Sequence, residues 1–168
     1  MRSILGIILF LLLSQSVCFS NEIKVIGWLE EVVLMPENLL FKAKMDTGAL
    51  HSSLNSSHVE RFVKDGKQFV RFTVLDRKNR EVVLERPVVR TAKVKMRNGK
   101  PQERPVVFLD ICVGNTIRTA EVNLVDRRRF LYEFLIGRSF IKGAYAIDPD
   151  AKYTMLPDCK SSQNPKAK

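Results

Sequence analysis

Hydrophobic and polar residues alternate along much of the chain, in short runs separated by turn-forming residues. The alternation is clear in Phe69-Val70-Arg71-Phe72-Thr73-Val74 and in Arg90-Thr91-Ala92-Lys93-Val94-Lys95-Met96. This pattern is expected of antiparallel strands that bury one face and expose the other. Runs rich in β-branched residues are predicted as strands at 23–28, 68–75, 81–84, 87–96, 105–113 and 116–124. The chain is therefore predicted to be mostly β.

Turn signals between these runs predict hairpins. Asn98-Gly99 favours the positive φ angles of a type I′ turn, so a protruding hairpin is predicted around 97–100. Gly114-Asn115 predicts a second turn of this kind, and 76–79 a third loop. Helical signals are few. Residues 56–62 are interpreted as one or two helical turns and 139–143 as another short helix.

The N-terminal segment differs from the rest of the chain. Arg2 precedes an apolar block at 4–13 and a polar stretch at 14–16, the pattern of a secretory signal peptide. Cleavage after Ser20 predicts an exported protein, periplasmic or secreted, whose only membrane contact is segment 1–20. An uncleaved membrane anchor and a lipid-modified Cys18 stay open as alternatives.

The remaining chain fits one domain, predicted at 21–158. The full chain has 168 residues, and its balanced composition is typical of a soluble globular protein. Residues 159–168 have too few apolar side chains to pack and are predicted to be a disordered tail. Cys112 and Cys159 form an even pair in an exported protein, which leaves two interpretations open: a disulfide, or a simply buried Cys112.

The formal net charge of +10 favours acidic partners or anionic surfaces. Basic residues are scattered through the predicted strands with few aromatic residues between them, so no nucleic-acid partner is predicted. Arg127-Arg128-Arg129 is the one dense cluster, and we interpret it as a solvated turn.

The segment with the clearest chemical logic is Asp46-Thr47-Gly48-Ala49, which follows a predicted strand. In a hydrolase with two carboxyl groups, one takes a proton from water while the other, protonated, polarises the scissile carbonyl. Thr47 is suited to hydrogen-bond to a partner loop, and Gly48 lets backbone N–H groups approach the carboxylate.

About ninety residues later comes Leu135-Ile136-Gly137-Arg138. The two motifs together resemble the retropepsins, in which an apolar-apolar-glycine strand packs behind the catalytic loop. The chain resembles, more narrowly, a bacterial retropepsin-like group labelled ATP-dependent zinc proteases. Further matching points are Gly27-Trp28, Pro36, Lys42-Ala43-Lys44, Ser53-Leu54, Arg104-Pro105-Val106, Asp126-Arg127 and Asp148-Pro149.

The resemblance implies a mostly β, closed barrel-like acid-protease fold with one or two short helices. It implies that Asp46 is catalytic, supported by Thr47 and Gly48, and that a flap covers the substrate. The hairpin with Asn98 and Gly99 is the candidate flap, and with Ala49 these residues are the candidate substrate contacts. The residues expected to support the site are Leu135, Ile136, Gly137 and Arg138.

One departure from the family pattern is Leu50-His51, where a basic or polar residue and a threonine or serine are common. His51 is interpreted as pointing to solvent rather than tuning Asp46.

The zinc and ATP parts of the group label are set aside. The chain has only two histidines, no pair of ligands at short spacing and no phosphate-binding Gly-x-x-x-x-Gly-Lys-Ser/Thr run. No metal and no cofactor are predicted.

A single Asp-Thr-Gly motif cannot supply two catalytic carboxyl groups, so a homodimer is predicted. Asp126 is interpreted as an ion-pair partner or turn cap and Asp148 as a turn residue, while Asp110 lacks the loop context. The predicted function is aspartic endopeptidase, acting on a peptide or protein. The alternative is a non-catalytic module that binds a peptide or a cell-envelope polymer, with a metal hydrolase third.

Overall fold

The computed structural model describes residues 22–95 and 99–159, and the predicted signal segment therefore lies outside the described residues. Within this part of the chain the structure has eleven strands and one short helix. The strands are β1 Lys24–Met35, β2 Leu39–Asp46, β3 Ser52–Asn55, β4 Ser57–Lys64, β5 Lys67–Leu75, β6 Glu81–Pro87, β7 Arg90–Val94, β8 Gln102–Val113, β9 Thr116–Val125, β10 Phe134–Gly137 and β11 Tyr145–Lys152, and the helix is α1 Arg138–Ile141. The prediction of a mostly β chain is confirmed.

Six of these strands close into a barrel. They run in the order β1-β2-β10-β3-β9-β8, and β8 pairs again with β1, from Val32↔Val113 to Met35↔Asp110. Strand β7 extends the sheet beyond β8, and β11 extends it beyond β1 in parallel. The closed acid-protease architecture that the resemblance implies is therefore confirmed.

The barrel interior is filled by large apolar side chains from all six strands. Phe41 and Phe134 are almost completely buried, and their rings meet edge to face with centroids 5.7 Å apart. Val32, Leu54 and Leu109 belong to the same cluster. Alternating positions on each strand provide these residues, because successive side chains of a strand point to opposite faces. This packing fixes the strand ends on which the candidate site is built.

Strands β4, β5 and β6 form a separate antiparallel sheet. The predicted helix at 56–62 is wrong, because this segment belongs to β4 and pairs with β5 from Ser57↔Thr73 to Lys64↔Lys67. Asp65 and Gly66, with φ of 50° and 72°, form the tight turn between the two strands. The small sheet packs on the barrel through Val70, Phe72 and Leu84, which join the main core.

The other predicted hairpins are also antiparallel pairs. Gly114-Asn115 joins β8 to β9, with Val113 opposite Thr116, as predicted. Strands β7 and β8 pair from Arg90↔Val106 to Val94↔Gln102, so their connection is 95–101. Gly99 in this connection has φ of 86°, while Asn98 lies outside the described residues.

The C-terminal segment, defined here as 153–159, is tied to the barrel. Cys159 forms a disulfide with Cys112 on β8, which decides between the two open interpretations of these cysteines. The backbone N–H of Asp158 donates to the carbonyl oxygen of Gly114 at 2.7 Å. The predicted tail therefore contains one anchored residue, and 160–168 lie outside the described residues. No helix in the described part of the chain is long and apolar enough to cross a membrane.

Candidate active site

Asp46 is the last residue of β2, at the point where the strand leaves the barrel. Strand β10 lies beside it in parallel, with Leu135 opposite Lys44, Ile136 opposite Met45 and Gly137 opposite Asp46. The buried side chains of Met45 and Ile136 point into the core. Asp46, one position along the strand from Met45, is therefore directed out of the core and is half-buried.

The loop after Asp46 folds back on its carboxyl group. The backbone N–H of Gly48 donates to Asp46 Oδ1 at 3.0 Å, and the N–H of Ala49 donates to the Asp46 carbonyl oxygen at 3.2 Å. A Cβ on Gly48 would lie 3.2 Å from Asp46 Oδ1, closer than most Cβ contacts. Glycine thus allows this N–H to reach the carboxyl group.

The start of α1 holds the same loop from behind. The Arg138 guanidinium donates to the Thr47 carbonyl oxygen at 2.7 Å, and the Arg138 backbone N–H donates to the Ala49 carbonyl oxygen at 2.9 Å. Ser139 adds a backbone hydrogen bond to Leu50 at 3.0 Å. The structure therefore brings the two predicted motifs together, although they are about ninety residues apart in the chain.

Gly137 lets the backbone of β10 approach the loop closely. A Cβ at this position would lie 2.6 Å from the carbonyl carbon and 2.7 Å from the carbonyl oxygen of His51. The Gly137 N–H donates to the buried hydroxyl of Ser52 at 3.1 Å. No side chain fits this position without displacing backbone atoms.

Thr47 and Gly48 are exposed.

The other acids considered from the sequence have partners away from the Asp46 loop. Asp110 accepts a hydrogen bond from Thr119, and Asp148 accepts one from the backbone of Asp150. Asp126 caps the turn by accepting the Arg128 N–H, but its ion-pair partner is the Arg128 guanidinium rather than its neighbour Arg127. Hydrogen bonds from Arg128 lower the pKa of Asp126 to about 2.

A cleft lies beside the Asp46 loop, between β7 and the outward face of the barrel sheet. We name it the flap-side cleft; its volume is about 680 Å³, and both Ala49 and Leu135 line it. Strand pairing places one row of residues along its floor: Leu135, Ser53, Asn123, Val106 and Arg90.

The flap-side cleft is rich in cations. Arg90, Lys93, Arg104 and Arg127 line it. Arg90 binds Glu121, with its Nη2 2.6 Å from Oε2, and this hydrogen bond holds the pKa of Glu121 below its usual range. In the described part of the chain no ion pair joins Arg104 or Arg127 to a carboxylate. The cleft therefore has cationic groups available for an acidic ligand.

Arg127 is a candidate site residue that the sequence did not single out. Its guanidinium donates to Ser53 Oγ and to the Tyr132 carbonyl oxygen, both at 3.1 Å, and lies 4.5 Å from the centroid of the Phe130 ring. Burial lowers the pKa of Arg127, and the charge of Arg104 lowers it further, whereas Asp46 raises it. Arg127 is 8% exposed, so the prediction of a solvated turn is wrong for this residue. The sequence signal that could have pointed to Arg127 is the match of Asp126-Arg127 to the bacterial retropepsin-like group.

His51 does not simply point to solvent. Its Nδ1 lies 3.5 Å from Glu121 Oε2, its side chain is 39% exposed, and it lines the flap-side cleft. Nδ1 is buried without a hydrogen bond in the described structure. Glu121 thus lies between Arg90 and His51, two residues that line the cleft.

The other predicted residues and ligand sets are placed as follows. Gly99 lies on the β7–β8 connection, exposed to solvent, and Asn98 is outside the described residues. Within 22–95 and 99–159, no three His, Cys, Asp or Glu side chains are grouped as a metal site requires.

The chain matches a protein-family model over most of its length. Residues 25–157 match the RimB-like family, described as "Retropepsin-like aspartic endopeptidase RimB". The matched region contains the Asp46 loop, strand β10 and all the cations of the flap-side cleft.

Curated relatives carry a different name. The chain is 30% identical over 125 residues to a "Probable alpha-L-glutamate ligase" of Parasynechococcus marenigrum, covering 73% of this chain and 27% of the relative. A protein of the same name from Shewanella pealeana is 28% identical over 117 residues, covering 68% of this chain and 26% of that relative. The chain thus spans about a quarter of the length of these relatives.

A solved structure shares the fold. The crystal structure of protein Lpg0085 from Legionella pneumophila, of unknown function (DUF785), superposes with a TM-score of 0.69 at 36% sequence identity. The match covers 78% of this chain and 97% of that one.

Proposed function

Because the chain belongs to the RimB-like family of retropepsin-like aspartic endopeptidases, we propose that two copies form one active site that hydrolyses peptide bonds. The observation that carries the proposal is the Asp46 loop. The Asp46 carboxyl group lies outside the core at a strand end and accepts a hydrogen bond from the Gly48 N–H. Gly137 lies opposite Asp46 on β10, and Arg138 donates a hydrogen bond to the loop at Thr47.

Water is the nucleophile in the proposed reaction, and no covalent intermediate forms. The ionised Asp46 of one copy accepts a proton from water while the water oxygen bonds to the carbonyl carbon. The second copy's Asp46, protonated, gives its proton to the carbonyl oxygen. The resulting diol collapses as a proton passes to the amide nitrogen and the C–N bond breaks. The products are a carboxyl group and an amine, and the pair again shares one proton.

Dimer formation is part of this proposal, because one chain has one Asp-Thr-Gly motif. The exposure of Thr47 and Gly48 supports it, since both are available to a second copy. Two carboxyl groups that meet in this way titrate as a coupled unit, and activity is expected at acidic to mildly acidic pH.

We propose acidic peptides as the substrate class. The flap-side cleft supports this, because Arg104 and Arg127 are at least partly buried and have no carboxylate ion-pair partner among the described residues. The relatives' name supports it independently, since an alpha-L-glutamate ligase is named for a reaction of glutamate. Peptides of glutamates joined through their α-carboxyl groups are therefore the first substrate to test. Export to the periplasm or beyond is proposed from the N-terminal segment alone.

The catalytic proposal is tested with an α-linked oligoglutamate peptide over a pH series. Wild type should release shorter peptides, and Asp46→Asn should reduce kcat by about 10³-fold or more. Asp150→Asn is the matched control, because it makes the same chemical change at an exposed carboxyl group. Equal turnover by Asp46→Asn and wild type would exclude the mechanism. Binding without turnover at every pH would instead support the non-catalytic module.

The dimer is tested by mixing. Wild type and Asp46→Asn chains, refolded together in equal amounts, should keep about one quarter of the activity of the same total amount of wild type, because only pairs with two intact Asp46 residues act. About one half would indicate that each chain acts alone. Sedimentation velocity on the same samples reports whether pairs form.

The substrate class is tested by comparing oligoglutamate with oligoglutamine of equal length. Glutamate should be the better substrate at low salt, and the preference should fall as salt rises, because salt screens the attraction between the cations of the cleft and the peptide carboxylates. At any one salt concentration, Arg127→Gln should show a smaller preference for oligoglutamate than wild type does. Equal cleavage of both peptides would remove the acidic class from the proposal.

A further inference from the structure

A second cavity lies next to the flap-side cleft, on the side of the small sheet. We name it the second groove; its volume is about 690 Å³, and β4 forms one wall while the ends of β8 and β9 form the other. Arg104 lines both cavities. Because one residue lines both, the two cavities are neighbours.

Among the described residues, the hydrogen-bond partners of the Arg104 guanidinium are neutral. Its Nε donates to Gln102 at 2.9 Å and its Nη1 donates to Asn123 at 3.3 Å. Burial lowers the pKa of Arg104, and its charge acts on Arg127 nearby. Two partly desolvated cations that have no carboxylate ion pair among the described residues raise the free energy of the unliganded state. An anionic ligand between them would relieve this.

Arg61 supplies a further cation on the opposite wall. Its Nη1 donates to the Thr91 hydroxyl at 2.9 Å, which links β4 to β7. Thr91 lines the flap-side cleft and Arg61 lines the second groove, so this hydrogen bond joins residues of the two cavities. No ion pair joins Arg61 to a carboxylate in the part of the chain that the structure describes.

The acids of the second groove already have partners. Asp126 binds Arg128, and Glu103 is paired with Lys93 at 3.6 Å. Within the described chain, these pairs leave Arg61 and Arg104 as the cations of the groove without a carboxylate ion pair. The described lining of the groove has three cationic residues and two acidic ones, so it carries a net positive charge.

The lack of aromatic side chains among the described lining residues also limits the class of ligand. Among the described residues, no Phe, Tyr or Trp lines either cavity. Single-stranded nucleic acids bind largely by stacking their bases on such rings, whereas carboxylates need only donors and positive charge. An acidic polypeptide fits both cavities better than a nucleic acid does.

We propose that the second groove binds the acidic stretch of a polypeptide substrate that lies beyond the residues held in the flap-side cleft. The inference rests on the proposed function and deepens it. In this proposal, Arg61 and Arg104 bind the additional residues of a long substrate. The Asp46 carboxyl groups, which cut the peptide, have a separate role. Long acidic substrates should therefore bind more tightly than short ones.

The test compares α-linked oligoglutamates of about 4 and about 12 residues, whose extended lengths differ roughly threefold. Arg61→Gln should raise KM for the long peptide about fivefold more than for the short one. Lys67→Gln is the control, since it removes one positive charge from an exposed position of the same small sheet and should leave this ratio at the wild-type value. Equal KM changes for both lengths, or none, would overturn the proposal.

A binding measurement separates this inference from the catalytic proposal. Fluorescence anisotropy of the labelled long oligoglutamate, on wild type and on Arg61→Gln, needs no turnover. If wild type cuts nothing but binds this peptide more tightly than Arg61→Gln does, the catalytic proposal fails. The proposal that the second groove binds acidic polypeptide is then still supported. If an oligothymidylate of equal charge displaces the peptide as well as unlabelled oligoglutamate does, the assignment to polypeptide is overturned.

Discussion

Two acidic residues on the neighbouring strands β1 and β2 of the barrel show how surroundings divide structural from chemical roles. Glu30 on β1 is 0% exposed, and its oxygens accept four hydrogen bonds: from the Gly27 N–H, from the Thr154 N–H and hydroxyl, and from the Met155 N–H. Asp46 on β2 is half-buried, and one side-chain hydrogen bond within the described chain, from Gly48, reaches its carboxyl group.

The difference teaches what each residue is available for. A carboxyl group surrounded by fixed donors has little capacity left for a ligand, and it holds the chain segments that supply the donors. Glu30 in this way joins β1 to the C-terminal segment. A carboxyl group at a strand end with one donor keeps acceptor sites for water and for a second carboxyl group. The comparison predicts that changes at the two residues separate activity from stability.

The largest effect is expected at Asp46. Asp46→Asn should abolish turnover while changing the free energy of unfolding by less than about 0.5 kcal/mol, because it is a partly exposed, isosteric change. Urea unfolding followed by tryptophan fluorescence measures the stability. A loss of several kcal/mol would show that Asp46 belongs to the structural class of Glu30.

Glu30→Ala should give the opposite result. It removes the acceptor of four hydrogen bonds, and we expect a loss of about 3–5 kcal/mol in the free energy of unfolding. Glu30→Gln keeps one acceptor oxygen and should lose less. Activity per folded molecule should remain near wild type for both variants. A wild-type melting temperature for Glu30→Ala would contradict the structural role.

The disulfide extends the anchoring of the C-terminal segment. It closes a loop with a sequence separation of 47 residues, and its removal should cost about 3–4 kcal/mol. Cys112→Ala with Cys159→Ala, measured by urea unfolding against wild type with and without a reductant, checks this. The reductant should lower the free energy of unfolding of wild type but not that of the double variant. A decrease in the double variant as well would show that the loss does not come from this disulfide.

Asp76 is a third case, buried like Glu30 but paired with a cation. Burial by itself would raise the pKa of Asp76, but hydrogen bonds from Arg80 and from the Lys78 N–H outweigh it and hold the pKa below the ordinary value of 3.8. The unfolded chain therefore binds this proton more readily. The stabilisation is fully present above pH 3.8 and is lost as the pH falls through the lower folded-state pKa.

Asp76→Asn should therefore destabilise the protein by about 1 kcal/mol near neutral pH. The difference from wild type should shrink as the pH falls below 3.8, the ordinary value. Thermal unfolding of both proteins from pH 7 to pH 2 measures it. A difference that stays constant over this range would show that the titration of Asp76 does not contribute.

Much of the strand pattern could be predicted from the sequence, because alternation and turn residues are local signals. The β8–β9 hairpin and the short helix near 139–143 were predicted in this way, and both are present. Strand β4 was not, since Ser56-Ser57 looks like a helix start. Its pairing with β5 is decided by Asp65-Gly66 and by the barrel surface beneath the small sheet.

The candidate site divides in the same way. Asp46-Thr47-Gly48-Ala49 and Leu135-Ile136-Gly137-Arg138 could be recognised as sequence because each motif is contiguous. Sequence comparison with the family noted Arg127, His51 and Arg104, but it could not show that they line one cleft, because they come from different parts of the chain and meet only on the folded sheet. No local pattern records that a guanidinium is buried or that its carboxylate partner is missing.

The sequence by itself determined a mostly β chain, the two motifs that carry the proposed chemistry and the excess of positive charge. Only the tertiary structure decided that strand β10 lies against the Asp46 loop, that Cys112 bonds Cys159, and that four cations line one cleft. The physical reason is range. Turn preference and alternation act over a few neighbouring residues, whereas ion pairing, burial and the closing of a barrel depend on residues that the chain brings together from far apart.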